Sequence, residues 1–258
     1  MPCLNTLRAD AIEIDKTKFE KSGYNILRGA LTQRIIKQIQ SELLYILRDQ
    51  MKKFGHTQLD GHITLNDYVR LAFVKGSIQR EFLYNFLRHI PTVRALATSE
   101  FFQEILKKLD FLMPIALEFP SIRFDIPGET EFLTRPHQDL RSVRSERCAT
   151  IWFPLTRVNE TNGTILIYPG THRFGLLEHK LEERQLKVCD LDLLGESLIV
   201  EANPGDIVIL NSLCVHFSVP GQTDSIKING QVVWNDAALV DSKDKFWQLN
   251  RLPDTKEL

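Results

Sequence analysis

Residues 121–126, "SIRFDI", decide how the rest of the chain reads. Ile122, Phe124 and Ile126 alternate with Arg123 and Asp125, the period-two pattern of a strand with one buried face. The alternation begins just after Pro120 and recurs in short runs, "CATIWFPL" (148–155), "GTILIY" (163–168), "ESLIVEA" (196–202), "DIVIL" (206–210), "LCVHFS" (213–218) and "IKINGQVVW" (226–234). Gly, Pro, Asn or Asp turns separate them. Upstream the period is helical. Residues 31–54 place Ile35, Ile36, Ile39, Leu43 and Ile46 on one face. Residues 80–90 do the same with Phe82, Leu83, Phe86, Leu87 and Ile90, up to a stop at Pro91. A third helix starts at the cap Ser99 and carries Phe102, Ile105, Leu106 and Leu109. All three apolar stripes read as core faces. Helices first and short strands afterwards predict an α+β fold, with a jelly-roll core and N-terminal helices packed on one face. We expect one domain over 1–258, mainly helical over 1–119 and jelly roll over 120–240.

Composition narrows the function classes. The chain has 258 residues, 43% hydrophobic and 25% charged, with a net charge of −1. That balance gives no global field to draw it to nucleic acid or an anionic membrane. No run of apolar residues is long enough to span a bilayer, and the first twenty residues lack the layout of a secretory leader. Cys3, Cys148, Cys189 and Cys214 have no paired spacing, which points to reduced thiols and a cytoplasmic setting. Cys148 and Cys214 lie in apolar strand runs and read as core.

The stretch "TRPHQDLRS" (134–142) sets His137 and Asp139 two positions apart. In an extended segment, residues i and i+2 share a face. A third candidate, His216, lies in "GDIVILNSLCVHFSVPG" (205–221), where a strand returning from the turn at Gly205–Asp206 brings it alongside. Two imidazoles and one carboxylate on one face of an octahedral ion leave open positions for a co-substrate and dioxygen, as at non-haem Fe(II) oxygenase centres. Singly, each residue has a plainer reading: His216 a hydrogen-bonded core histidine, His137 a surface residue after Pro136.

From about residue 120 to 236 the chain resembles the phytanoyl-CoA dioxygenase family of Fe(II)/2-oxoglutarate-dependent oxygenases. The landmarks run in order: "PHQD" (136–139), "TIWFPLTRVNETNGTILIYPGTHRFG" (150–175) and "NPGDIVILNSLCVHFS" (203–218). The resemblance implies a double-stranded β-helix (cupin-like) with iron on His137, Asp139 and His216. It also implies oxidative decarboxylation of 2-oxoglutarate to succinate, with O2 consumed and a small-molecule substrate hydroxylated. His172, in the Pro-Gly-Thr-His turn, is expected to secure that loop and not to bind metal. The intact carboxylate ligand disfavours a halogenase. A non-redox cupin-like metal protein, or a pseudoenzyme that binds a metabolite without turnover, is the alternative.

One position departs from the family pattern. Where the family carries an Arg for the far carboxylate of 2-oxoglutarate, this chain has Lys227. Lys227, Asn229 and Gln231 share one strand face, opposite Ile226, Ile228 and Val232, so Lys227 is expected to point inward as a working substitute. It supplies a point charge and no two-pronged contact. The alternatives are a Lys that reaches to the rim and a grip made by Arg123 or Arg141. Ser218 matches a hydroxyl beside the same carboxylate, and Trp152 matches an aromatic that walls the pocket or packs as core. Arg141 and Arg144, in the loop after Asp139, with Gln231, are candidate contacts for a polar or anionic substrate. The expected substrate is a small polar or anionic metabolite or a natural-product intermediate.

Overall fold

The computed structural model describes residues 7–53, 64–73, 80–116, 120–139, 145, 147–182 and 185–240. Six helices precede most of the strands: α1 (Lys16–Ser22), α2 (Gln33–Lys53), α3 (Leu65–Ala72), α4 (Arg80–Leu87), α5 (Pro91–Ala97) and α6 (Glu100–Lys107). The strands are β1 (Tyr24–Leu27), β2 (Pro114–Ile115), β3 (Ser121–Asp125), β4 (Cys148–Pro154), β5 (Thr164–Ile167), β6 (His179–Glu182), β7 (Gln185–Val188), β8 (Leu198–Ile199), β9 (Ile207–Asn211), β10 (His216–Val219) and β11 (Lys227–Asp236). The larger sheet runs β1-β9-β4-β11-β2, with β3 also paired to β11, and every pairing is antiparallel. The smaller sheet runs β10-β5-β8, and β6 and β7 form a separate hairpin. This is the expected jelly roll with mixed helix and antiparallel sheet.

Alternation along the larger sheet sorts its side chains. Ile151 and Phe153 of β4, Ile207 and Ile209 of β9, and Ile228, Val232 and Trp234 of β11 join one core with Ile35, Ile39 and Leu43 of α2. The interleaved Trp152, Val208 and Leu210 turn the other way and pack with Ile165 and Ile167 of β5, between the sheets. With helices on one face and a sheet on the other, every residue of β4 is buried, as a strand covered on both sides requires. Gly230 of β11 is the direct partner of Phe153 of β4, and a Cβ there would meet the Phe153 ring at 2.2 Å, so a side chain fits only if that buried ring moves.

Several expectations needed correction. Phe82 and Phe86 are not core: they are 49% and 43% exposed and stack on each other 6.2 Å apart. α4 instead buries Leu83 and Leu87 and leans on β3 through Tyr84, whose ring stacks on Phe124. Ile46 is only partly buried, and the stripe of α2 passes through Leu47, Gln50 and Met51. Pro91 does not merely end a helix. It opens α5 at its first turn, where a missing N–H costs nothing. The N-terminal region also contributes a strand, β1, which extends the larger sheet beside β9. Ser99 caps α6 as expected, accepting from Phe102 N. Among the described residues, no helix is long and apolar enough to cross a membrane.

Candidate metal centre

Residues 134–139 run antiparallel to β10 and are stitched to it by backbone bonds. His137 N donates to His216 O (3.0 Å) and His216 N donates to His137 O (3.1 Å), while Ser218 N reaches Thr134 O and Asp139 N reaches Ser212 O. The direct pairing His137↔His216 sets the two rings 4.5 Å apart, centroid to centroid. Because Asp139 follows His137 by two residues, its carboxylate turns to the same side. His137 Nε2 is 3.4 Å from Asp139 Oδ1, and His216 Nε2 is 3.8 Å from Asp139 Oδ2. One potential ligand atom from each of the three lies within 4.8 Å of the others. Ligand atoms about 2.1 Å from one ion at right angles lie about 3 Å apart, so the spacing suits a shared ion.

The ring chemistry suits it too. His137 Nδ1 lies 2.7 Å from Arg135 O, and His216 Nδ1 lies 3.0 Å from Cys214 O. A carbonyl only accepts, so each Nδ1 carries the proton and each Nε2 keeps its lone pair towards Asp139. Burial pushes the His216 pKa down, with Asp139 opposing, which favours neutral imidazole. Burial would raise Asp139, but positive charge at His216 and His137 and the Thr150 hydroxyl outweigh it and hold the carboxyl well below the usual range, a charge that a bound divalent ion would supply in place of the imidazoles. Neutral imidazole and ionised carboxylate are the ligating forms. Thr150 Oγ1 donates to Asp139 Oδ2 and lies 3.1 Å from Ser212 Oγ, so the carboxylate is aimed from behind. The donor set therefore fits a hard-to-borderline divalent ion such as Fe(II).

Gln138, between two of these residues, was not singled out from the sequence. The alternation that turns His137 and Asp139 inward turns it away, into a buried pocket. Its Nε2 donates to Gly175 O (2.8 Å) and Leu213 O (2.7 Å), and its Oε1 accepts from Leu177 N (3.0 Å). The β6–β7 hairpin, also unforeseen, backs the same segment: Val188 N donates to Pro136 O and Gln185 Oε1 accepts from Arg135 N. His172 lies elsewhere, with Nε2 3.1 Å from Glu20 O and its ring against Gly23, tying its loop to α1. Burial pushes the Cys148 thiol up to about 12; it and Cys214 are buried and free.

Beyond His216, Ser218 shares its strand face and accepts from Thr134 Oγ1 (2.9 Å). Lys227 crosses from the larger sheet to meet it. It is 2% exposed, so it does not reach the rim. Its Nζ donates to Thr164 O (2.8 Å) and Ser218 Oγ (3.3 Å) and forms an ion pair with Asp125. Trp152 packs with Ile165, Val208 and Leu210 between the sheets, and Gln231 is its direct partner in register. Arg141 and Arg144 lie outside the described residues. Arg147 is engaged structurally, donating to Asp110 O and facing Asp236.

A family model described as phytanoyl-CoA dioxygenase (PhyH) matches residues 19–229. The 1-deoxypentalenic acid 11-beta-hydroxylase of Streptomyces exfoliatus is 22% identical over 214 residues, 78% of this chain and 72% of that protein. The peroxisomal phytanoyl-CoA dioxygenase of Bos taurus is 23% identical over 231 residues, 83% of this chain and 65% of that protein. Among solved structures, EctD from S. alaskensis with 2-oxoglutarate and 5-hydroxyectoine superposes with a TM-score of 0.61 at 16% identity, over 97% of this chain and 88% of that one. The epimerase SnoN, in complex with Fe3+, alpha ketoglutarate and nogalamycin RO, gives 0.58 at 18% identity over 93% and 89%.

Proposed function

The chain belongs to the phytanoyl-CoA dioxygenase family, and from that premise we propose that it is an Fe(II)/2-oxoglutarate-dependent hydroxylase of a small polar or anionic metabolite. The observation that carries this is the convergence of His137, Asp139 and His216 within 4.8 Å. Bound iron(II) supplies the redox chemistry, in which O2 and 2-oxoglutarate are consumed, succinate and carbon dioxide leave, and one oxygen atom enters a substrate C–H bond. The chain's own part is positioning. His137 and His216 present Nε2 lone pairs because backbone carbonyls hold their Nδ1 protons. Asp139 supplies the anionic ligand, aimed by Thr150. Lys227 and Ser218 lie on the side of His216 where the far carboxylate of the co-substrate is expected. Trp152 walls the space between the sheets and excludes water. The inner face of β11, with Asn229 and Gln231, offers polar contacts to the substrate. Arg141 and Arg144 remain candidates for the same role.

A second reading, a metabolite binder without turnover, has one observation in its favour: the Lys227 ammonium is already paired with Asp125. Anaerobic titration of 2-oxoglutarate into the Fe(II)-loaded protein separates the two. The hydroxylase reading expects a metal-to-ligand charge-transfer band, and succinate formation on admitting O2. Asp139→Ala should lose both. Iron binding with no spectral response to 2-oxoglutarate overturns the reading, as does near wild-type succinate formation by Asp139→Ala.

A further inference from the structure

Asp125 of β3 and Lys227 of β11 are direct partners in register, and both side chains are buried. The ammonium meets three oxygens: Asp125 Oδ2, Thr164 O and Ser218 Oγ. Two of the three N–H donors of the lysine are thus hydrogen-bonded before a ligand arrives, to Thr164 O and Ser218 Oγ, and the charge faces Asp125 as an ion pair. Asp125 Oδ2 is buried and receives no well-directed hydrogen bond, so the charge of Lys227 is what holds it. Arg123, on the same strand face, does not relieve this. Its Nη2 donates to Phe132 O (3.1 Å), and among the described residues no ion pair joins it to a carboxylate. Burial pulls the Lys227 pKa down, Asp125 pulls it back, and the nearby Arg123 charge lowers it again.

We propose that Asp125 determines which 2-oxo acid this chain accepts, because its carboxylate occupies the Lys227 ammonium that the far carboxylate of 2-oxoglutarate would need. The inference rests on the oxygenase reading above. Two carboxylates cannot share one buried ammonium without repulsion, since like charges placed together cost several kcal/mol. A dicarboxylic co-substrate must therefore displace Asp125 from Lys227, and the nearest other cation on that face, Arg123, forms no ion pair with a carboxylate among the described residues and is bonded instead to Phe132 O. Most of the benefit of the second carboxylate is spent in that exchange. A monocarboxylic 2-oxo acid of the same length leaves the pair closed and forfeits little. Asp125 is thus a specificity-determining residue, not a catalytic one.

Calorimetric titration of the anaerobic Mn(II)-loaded protein tests this without turnover, using 2-oxoglutarate and 2-oxopentanoate as probes. The wild type should prefer 2-oxoglutarate by less than about tenfold, a difference of roughly 1.4 kcal/mol. Asp125→Asn, which keeps the shape and removes the charge, should bind 2-oxoglutarate at least about tenfold more tightly and 2-oxopentanoate unchanged. Unchanged or weaker 2-oxoglutarate binding by folded Asp125→Asn overturns the proposal while leaving the oxygenase reading intact. If Asp125→Asn does not fold, the wild-type preference decides alone: below about tenfold supports the proposal and above it overturns it. If neither protein binds either acid, both the oxygenase reading and this inference fall.

Discussion

Gln138 carries no chemistry, yet its replacement should damage both folding and metal binding. Gln138→Ala removes three hydrogen bonds at once, to Gly175 O, Leu213 O and Leu177 N. At about 1 kcal/mol net for each, and somewhat more where a buried group is left unpaired, the loss is about 3–4 kcal/mol. Urea unfolding of the metal-free protein measures it. With a slope of about 1–3 kcal/mol per molar for small domains, the midpoint should fall by roughly 1 M or more. The same side chain locks the backbone between His137 and Asp139, so Co(II) affinity should also drop, by about 10- to 100-fold as for other residues that orient ligands. Gln138→Met, which restores volume without hydrogen bonds, should recover little of either loss. A midpoint shift worth less than about 1 kcal/mol together with unchanged Co(II) affinity would refute the idea that Gln138 holds the ligand segment.

Other perturbations probe the fold from different sides. Gly230→Ala forces a methyl into the Phe153 ring and should cost about 1–3 kcal/mol or more; Phe153→Leu in the same chain should recover part of it, seen as non-additive midpoints. Lys227→Ala strands Asp125 as a buried, uncompensated carboxylate and should cost about 3–5 kcal/mol in denaturant unfolding, much of it regained in Lys227→Ala/Asp125→Ala. Burial lowers the His172 pKa below the ordinary imidazole value, with Glu20 O opposing. A lowered histidine pKa means the unfolded chain binds the proton more readily, so its stabilising share is present above about 6.5 and drains as pH falls. Stability measured from pH 7.5 to 5 should therefore fall more steeply in the wild type than in His172→Gln, and parallel curves would remove this role.

The convergence of His137, Asp139 and His216 was legible because their geometry is local. His137 and Asp139 share a face by strand alternation alone, and His216 needed only one antiparallel return to reach them. The outer face of the larger sheet was legible for the same reason, since Ile226, Ile228 and Val232 match a helix stripe already visible in Ile35, Ile39 and Leu43. Where the pattern was weak, reading failed. Phe82 and Phe86 fit a helical stripe, but α4 rests on β3 through Tyr84 and buries Leu83 and Leu87, and the two rings stack on each other at the surface. β1 is four residues long and begins next to α1, too short to announce a period. The β6–β7 hairpin carries Lys180, Glu182 and Lys187, so its polarity reads as loop.

Pairings between distant strands were the least legible, and they decide the chemistry at the far end of the site. "SIRFDI" places Asp125 on the polar face of β3 and "IKINGQVVW" places Lys227 on the polar face of β11. Neither run reveals that the antiparallel register sets the two directly opposite. A shift by two residues would have faced Lys227 with Arg123, leaving two cations to greet an anionic co-substrate. The observed register instead pairs Lys227 with Asp125, while Arg123 on the same face still acts on the ammonium from nearby. Ile122 and Phe124 face the helices with Ile228 and Val232, so a slip of β3 by one residue would turn its apolar pair inward, whereas a slip of two would not. The partner of Lys227 is thus set by a pairing register that side-chain alternation within either run leaves open.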